Sequence, residues 1–151
     1  MGARARRGGR PVVTRSPATT AIRSDLRVVV VDVYIPSVRR LDAGVRTARL
    51  YQSQIRSWVL SRGWRVGGTF DETSLQYALQ RVESHESDGL IVARFSHLGP
   101  SLEDALATIE RIEAAGGRFA SVADGVDLET STGRLLLRML LSVAALKQER
   151  S

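Results

Sequence analysis

The chain has no cysteine, which excludes a disulfide framework and any thiolate metal site. It has only two histidines, His85 and His97, and two at unrelated positions do not make a metal centre, so neither a metal nor a cofactor is expected. No apolar run approaches the roughly 18 residues of a membrane-spanning helix, so no membrane partner is expected. No Gly-x-Gly-x-x-Gly or Walker pattern occurs, and Gly116-Gly117 reads as the end of a helix rather than a phosphate cradle. The missing cysteines fit a reducing, cytoplasmic setting.

What is present is a body and a tail of different character. The 151 residues carry 22 basic and 16 acidic side chains, a formal charge of +6. Residues 1–24 hold six arginines and no acid, and without them the basic and acidic side chains balance at sixteen each. All the excess charge therefore lies in the tail. Its Arg, Gly, Ala, Thr and Pro content, without hydrophobic period, reads as a disordered basic segment. Arg4, Arg6, Arg7 and Arg10 are its candidate DNA contacts, since phosphates are met by clustered arginine. A solvated extension, or a transit peptide of similar composition, is the alternative. Residues 25–151, with 43% hydrophobic residues in the whole chain, suffice for one domain with its own core.

Within that domain strand and helix signals alternate. Leu26 to Val33 is nearly all apolar, as in a parallel strand covered on both faces. Val45 to Arg62 places Ala48, Tyr51, Ile55, Trp58 and Val59 on one helical face, with Gly63 as its C-cap. A strand from Arg65 to Phe70, a helix from about Thr73 to His85 and a short buried strand from Leu90 to Ala93 follow. The turn Arg94 to Gly99 leads to Pro100 and Ser101, which open a helix from Leu102 to Ala115 with Glu103 and Asp104 in its first turn. Arg118 to Val122 is a fourth strand and Asp124 to Asp127 an acidic turn. The last helix, Arg134 to Arg150, reads as apolar nearly all round, so burial on more than one side is expected. The alternation predicts an α/β domain: a mainly parallel sheet of about four strands, helices on both faces and a long apolar C-terminal helix.

Several segments, in order and spacing, resemble the catalytic domain of the serine recombinases (resolvases and invertases). The central turn Arg94-Phe-Ser-His-Leu-Gly-Pro-Ser101 stands where that family reads roughly K-L-D-R-L-G-R-S. Val33-Tyr-Ile-Pro-Ser37 stands where it reads Y-x-R-x-S, and Gln52 to Trp64 and Val126 to Arg134 match in kind. The resemblance spans about Leu26 to Arg150, and on this reading no DNA-binding domain is expected after it. It implies DNA strand exchange through a phosphoserine intermediate, in which fixed arginines meet the charge of the transition state. It also implies that the last helix forms a dimer interface, with Leu136, Met139, Leu140, Val143 and Leu146 as candidates.

The residues that would perform the chemistry depart from the pattern. Ser37 is the candidate nucleophile, but the spacing from Tyr34 is one residue short. Either Ile35 holds the place of the arginine, or Pro36 does and Val38 replaces the serine. Ser96, His97 and Pro100 replace the aspartate and both arginines of the central turn. The family's flexible loop after Asp71 is shortened together with its arginine, and Lys147-Gln148 stands for an acid–arginine pair. Losing one positioned donor costs about 10²–10³-fold in rate. Ser37 then also reads as a turn residue after Pro36. The expectation is an inactive recombinase-like domain, acting as a dimerising or regulatory module linked to DNA recombination as homodimer or heterodimer with a recombinase. The alternatives are an active recombinase with Ser37 as nucleophile and Arg39, Arg40 and Arg94 moved into place, or an α/β interaction domain without a DNA role.

Overall fold

A computed structural model describes residues 27–41 and 44–150, with side chains to residue 146. The tail arginines Arg4, Arg6, Arg7 and Arg10, and the side chains of Lys147 and Gln148, lie outside the described residues. The elements run β1 (Val30–Tyr34), α1 (Val38–Leu41), α2 (Val45–Ser61), β2 (Arg65–Phe70), α3 (Leu75–Glu83), β3 (Gly89–Val92), a 3₁₀ turn (Phe95–Leu98), α4 (Leu102–Ala114), β4 (Arg118–Ser121), β5 (Val126–Asp127) and α5 (Ser131–Arg150).

The sheet order is β2-β1-β3-β4-β5. The first four strands are parallel, and β5 pairs antiparallel with β4. The expected parallel α/β sheet is therefore present with five strands, because the acidic turn after β4 folds back as a two-residue edge strand. Its pairing is too short to leave a period in the sequence.

Side chains alternate across the strands. Val31, Val33, Ile91, Ala93 and Ala120 face α2, where Ile55 and Val59 are fully buried. Tyr34, Leu90, Val92 and Phe119 face the other way, onto Ala78, Leu79 and Val82 of α3 and Leu106, Ile109 and Ile112 of α4. Two separate cores thus lie on the two faces of one sheet, as parallel strands require. Gly63, at φ +75°, ends α2 in the left-handed conformation that favours glycine. Just before it, Arg62 lies 3.4 Å from the Trp58 ring centroid and pairs with Asp127 at 2.9 Å, tying the end of α2 to β5.

One polar group breaks the apolar run of β1. Asp32 has no exposed surface. Arg81 of α3 meets its two oxygens at 2.8 and 3.3 Å, and the Gly68 N–H donates to it at 2.9 Å. Here β2 bulges: Val31 pairs with Val66 but Val33 with Thr69. A Cβ on Gly67 would stand 2.6 Å from Asp32 Oδ1, so the carboxylate itself dictates glycine there.

The last helix corrects an expectation. It starts at Ser131, earlier than its apolar residues suggest. It is not apolar as a whole: Ser131, Thr132 and Arg134 open it, and Lys147 to Arg150 end it. Leu137 and Ala144 are buried and Leu136, Leu140 and Leu141 partly so against the α4 side of the core, whereas Leu135, Met139, Val143 and Leu146 are exposed. The leucine-rich composition masked this one-sided packing, because an apolar residue on a helix need not be a buried one.

Arg81→Met removes the partner of a fully buried carboxylate. It should cost about 3–5 kcal/mol in urea unfolding, with part recovered in the Asp32→Asn/Arg81→Met double variant. An Arg81→Met protein as stable as the parent would show that the pair is dispensable.

Candidate functional site

The chain leaves β1 toward β2 and leaves β3 toward β4, so the carboxyl ends of β1 and β3 flank the point where the sheet reverses its winding. Open α/β sheets build their sites there. Two segments emerge at this point: Ile35-Pro36-Ser37 after β1, and Arg94 to Pro100 after β3.

Ser37 caps α1. Its Oγ accepts a long hydrogen bond from the Arg40 N–H at 3.3 Å and donates to Glu72 Oε2 at 2.6 Å. Its own N–H donates to Glu72 Oε1 at 2.9 Å. Both oxygens of one carboxylate are thus seated on one serine, which holds Glu72 below its ordinary carboxylate range. Asp71 is also lowered, chiefly by hydrogen bonds from the Thr73 hydroxyl and N–H. Beneath them, burial pushes the Tyr34 phenol up to about 12.

Two clefts border Ser37. One, of about 440 Å³, lies between α2 and the end of β2 and is lined by Ile35, Pro36, Val45, Arg49, Gln52 and Asp71 among others. The second, also about 440 Å³, brings Ser37 together with Arg39, Arg40, Asp71, Glu72 and Thr73. Ile35 donates its N–H to the Phe70 carbonyl at 2.9 Å and packs against the α2 side of the core, while Pro36 is buried. Neither carries a group that could meet a phosphate.

The segment after β3 is a single 3₁₀ turn held from below. Asp124 accepts from the Phe95 N–H at 2.8 Å and from the Ser121 hydroxyl at 2.5 Å. Arg94 reaches Tyr51 Oη at 3.2 Å and Asp124 at 3.4 Å, and its guanidinium is thereby engaged away from Ser37. His97 packs edge-on against the Tyr51 ring at 5.2 Å, and its Nδ1 is buried without a hydrogen-bond partner. Burial first, then the charge of Arg94, lowers its pKa below the ordinary 6.5. Ser96 and Pro100 are exposed. Ser101 then caps α4, accepting from the Asp104 N–H at 3.1 Å and donating to its carboxylate at 2.9 Å.

The structure therefore brings Ser37, Arg39 and Arg40 to one cleft and leaves Arg94 with α2. No residue among those described donates a guanidinium hydrogen bond to Ser37. Among the described residues no group of three or more metal-ligating side chains occurs, and no helix is long and apolar enough to cross a membrane. Sequence reasoning missed Glu72 and Arg49. The available signal was the short connection after Asp71, which carries Glu72 straight into the corner beside Ser37.

The family description "Resolvase, N terminal domain" matches residues 46–151. The chain is 23% identical over 124 residues to the DNA-invertase hin of Salmonella typhimurium and, to the same degree, to a DNA-invertase of Salmonella abortus-equi. These matches cover 82% of this chain and 59% of each relative, so the chain spans about three fifths of their length. Two solved structures share the fold with a TM-score of 0.67. The N-terminal catalytic domain of TP901-1 integrase is 17% identical, with 81% of this chain and 98% of that one covered. A resolvase family site-specific recombinase from Streptococcus pneumoniae is 16% identical, with 81% and 89% covered.

The lowered His97 has a signed consequence. A base whose folded pKa lies below its unfolded value gives the unfolded state more bound protons as pH falls through about 6.5, so stability is lost in that window. In His97→Gln the urea midpoint should fall less between pH 7 and pH 5 than in the parent. Equal slopes would show that the imidazole is not penalised by its surroundings.

Proposed function

We propose a function from one premise: this chain belongs to the family of resolvase N-terminal domains. It has the architecture of a recombinase catalytic domain, and on our reading it has lost DNA cleavage and kept association. The observation that carries this reading is the state of Ser37. A phosphodiester is attacked by a serine whose surroundings supply positive charge to the developing transition state. Here the Ser37 hydroxyl instead points at a carboxylate 2.6 Å away. Glu72 is held ionised, so it is a weak base, and its negative charge stands where an incoming phosphate would bring more of the same. Both effects raise the barrier. Ile35, Pro36, Ser96, His97 and Pro100 add no compensating guanidinium, and Arg94 is spent on Tyr51 and Asp124.

What remains is a scaffold with an exposed stripe, Leu135, Met139, Val143 and Leu146, along α5. Its spacing of four, four and three residues keeps it on one helical face. That face supports a homodimer, or a heterodimer with an intact recombinase, in the cytoplasm. A recombinase paired with such a partner would hold one cutting centre fewer than two. DNA contact then rests on the arginines of residues 1–24, since the rest of the chain is formally neutral.

A second reading has one observation in its favour. Arg39 and Arg40 share a cleft with Ser37, and Arg49 lines the cleft on its other side. A rearranged arginine set could serve an active Ser37.

Trapping of covalent protein–DNA adducts on supercoiled plasmid separates the two. The parent chain and Ser37→Ala should be equally free of adduct. An adduct seen with the parent and lost in Ser37→Ala would establish the active reading. Association is measured separately: sedimentation at micromolar concentration should give a dimer that Met139→Glu dissociates, and a monomeric parent chain that also fails to bind a recombinase would remove the dimerising role.

A further inference from the structure

The Ser37 corner is arranged as a receptor for an anion, and the anion in it belongs to the chain. Two donors of one residue, the Ser37 N–H at 2.9 Å and its O–H at 2.6 Å, converge on the two oxygens of Glu72. The same cleft is lined by Arg39 and Arg40. Neither arginine forms an ion pair with any acid among the described residues, whereas seven other acid–base pairs do form. Arg40 lies close enough to Tyr34 and His97 to act on both electrostatically. Asp71 does not compete for the same donors, because Thr73 and Ser74 hold its carboxylate.

We infer that Glu72 is an internal plug: its carboxylate fills an oxyanion site made by Ser37 and bordered by Arg39 and Arg40, and removing that carboxylate opens the site to a free tetrahedral oxyanion or a phosphodiester. The inference rests on the reading that Ser37 no longer attacks DNA, and it names the residue that keeps phosphate away. The geometry favours a plug over a passive cap. A cap needs only the Ser37 hydroxyl and the Arg40 N–H, and both are present without Glu72. The carboxylate adds a charge-assisted pair of hydrogen bonds at the one place where external phosphate would have to dock. Exchange with solvent phosphate must first break that pair and then bring a second negative charge beside the displaced carboxylate, which remains tethered a few ångströms away. The short connection between β2 and α3 makes the plug persistent, since Glu72 has little chain on either side with which to swing clear.

The test uses the full ¹⁵N-labelled chain at constant ionic strength, titrated with inorganic phosphate in one arm and a short duplex oligonucleotide in the other, following the amide signals of Ser37 to Leu41. Glu72→Ala should reach half-saturation with one or both ligands at a concentration lower than the parent's by about tenfold or more, since the pair of charge-assisted hydrogen bonds no longer has to be broken. Glu72→Gln should shift in the same direction; it keeps an acceptor for Ser37, so the corner stays folded, as unchanged Leu90 to Val92 signals would verify. A gain with phosphate identifies a free oxyanion site, and a gain with the duplex alone identifies the phosphodiester. Equal half-saturation in all three proteins with both ligands, or shifts that avoid Ser37, would overturn the plug. The reading of lost cleavage fails by a different result, an adduct formed by the unsubstituted protein.

Discussion

A carboxylate in the middle of a buried strand has to be answered, and the way Asp32 is answered orders much of the domain. Arg81 comes from α3, Gly68 from β2, and the carboxylate belongs to β1. Three elements are therefore fixed by one ionised group. The bulge of β2 opposite Asp32, with glycine where a Cβ would collide with the carboxylate, sets how far the remaining residues of β2 advance. Thr69 and Phe70 regain register with Val33 and Tyr34, and the next two residues are Asp71 and Glu72. The placement of Glu72 against Ser37 is thus a consequence of how the sheet accommodates Asp32. An uncompensated charge at this depth would cost several kcal/mol, a large part of the net stability of a domain this size.

The electrostatics of the switch point follow from that placement. The family's chemistry asks for positive charge around a serine. This corner offers negative charge to the serine and leaves positive charge at the rim. Distance matters less here than sequence of contact. Ser37 has one hydroxyl proton, and Glu72 holds it. The guanidiniums of Arg39 and Arg40 share the cleft without a hydrogen bond to Ser37 Oγ, and Arg94 is turned toward α2. The central turn is held in shape by supports outside it: Asp124 and Ser121 hold its backbone, Tyr51 packs on His97, and Ser101 starts the following helix.

Much of this fold was legible in the sequence, for physical reasons that differ by element. The valine run of β1 and the helical period of α2 report burial directly, and Gly63 reports the end of α2 because few other residues adopt its backbone conformation. β5 was not legible, since two residues carry no period. The one-sided burial of α5 was not legible either. Leu135 and Leu136 are the same residue type, and only the position of α4 decides which of them meets the core. At the site, Ser37, His97 and the replaced arginine positions could be picked out by pattern. Glu72 could not, because its role arises from a register shift in one strand and a shortened connection. Arg81 was visible but had no assignable partner, since Asp32 stands 49 residues away and reads as an interruption of an apolar strand.

The positions on which the proposed loss of cleavage rests do not contribute equally to stability. Ser96 and Pro100 are exposed, and replacing arginine at an exposed turn costs the fold little. A cluster of guanidiniums held close together is itself a source of strain, because like charges repel and each must be kept partly desolvated to act on a phosphate. On the reading proposed above, a scaffold without that cluster is spared this repulsion, and its sheet, its α2 core and the exposed face of α5 are formed without it. His97 is the exception that supports the rule. It is the one replaced position of the central turn that packs, and it does so as a half-buried neutral ring against Tyr51, a place where a guanidinium would have to be charged. The face proposed for association and the corner around Ser37 therefore lie in different parts of the chain, and the contacts that hold α5 on the core are apolar ones, made without the charges around Ser37.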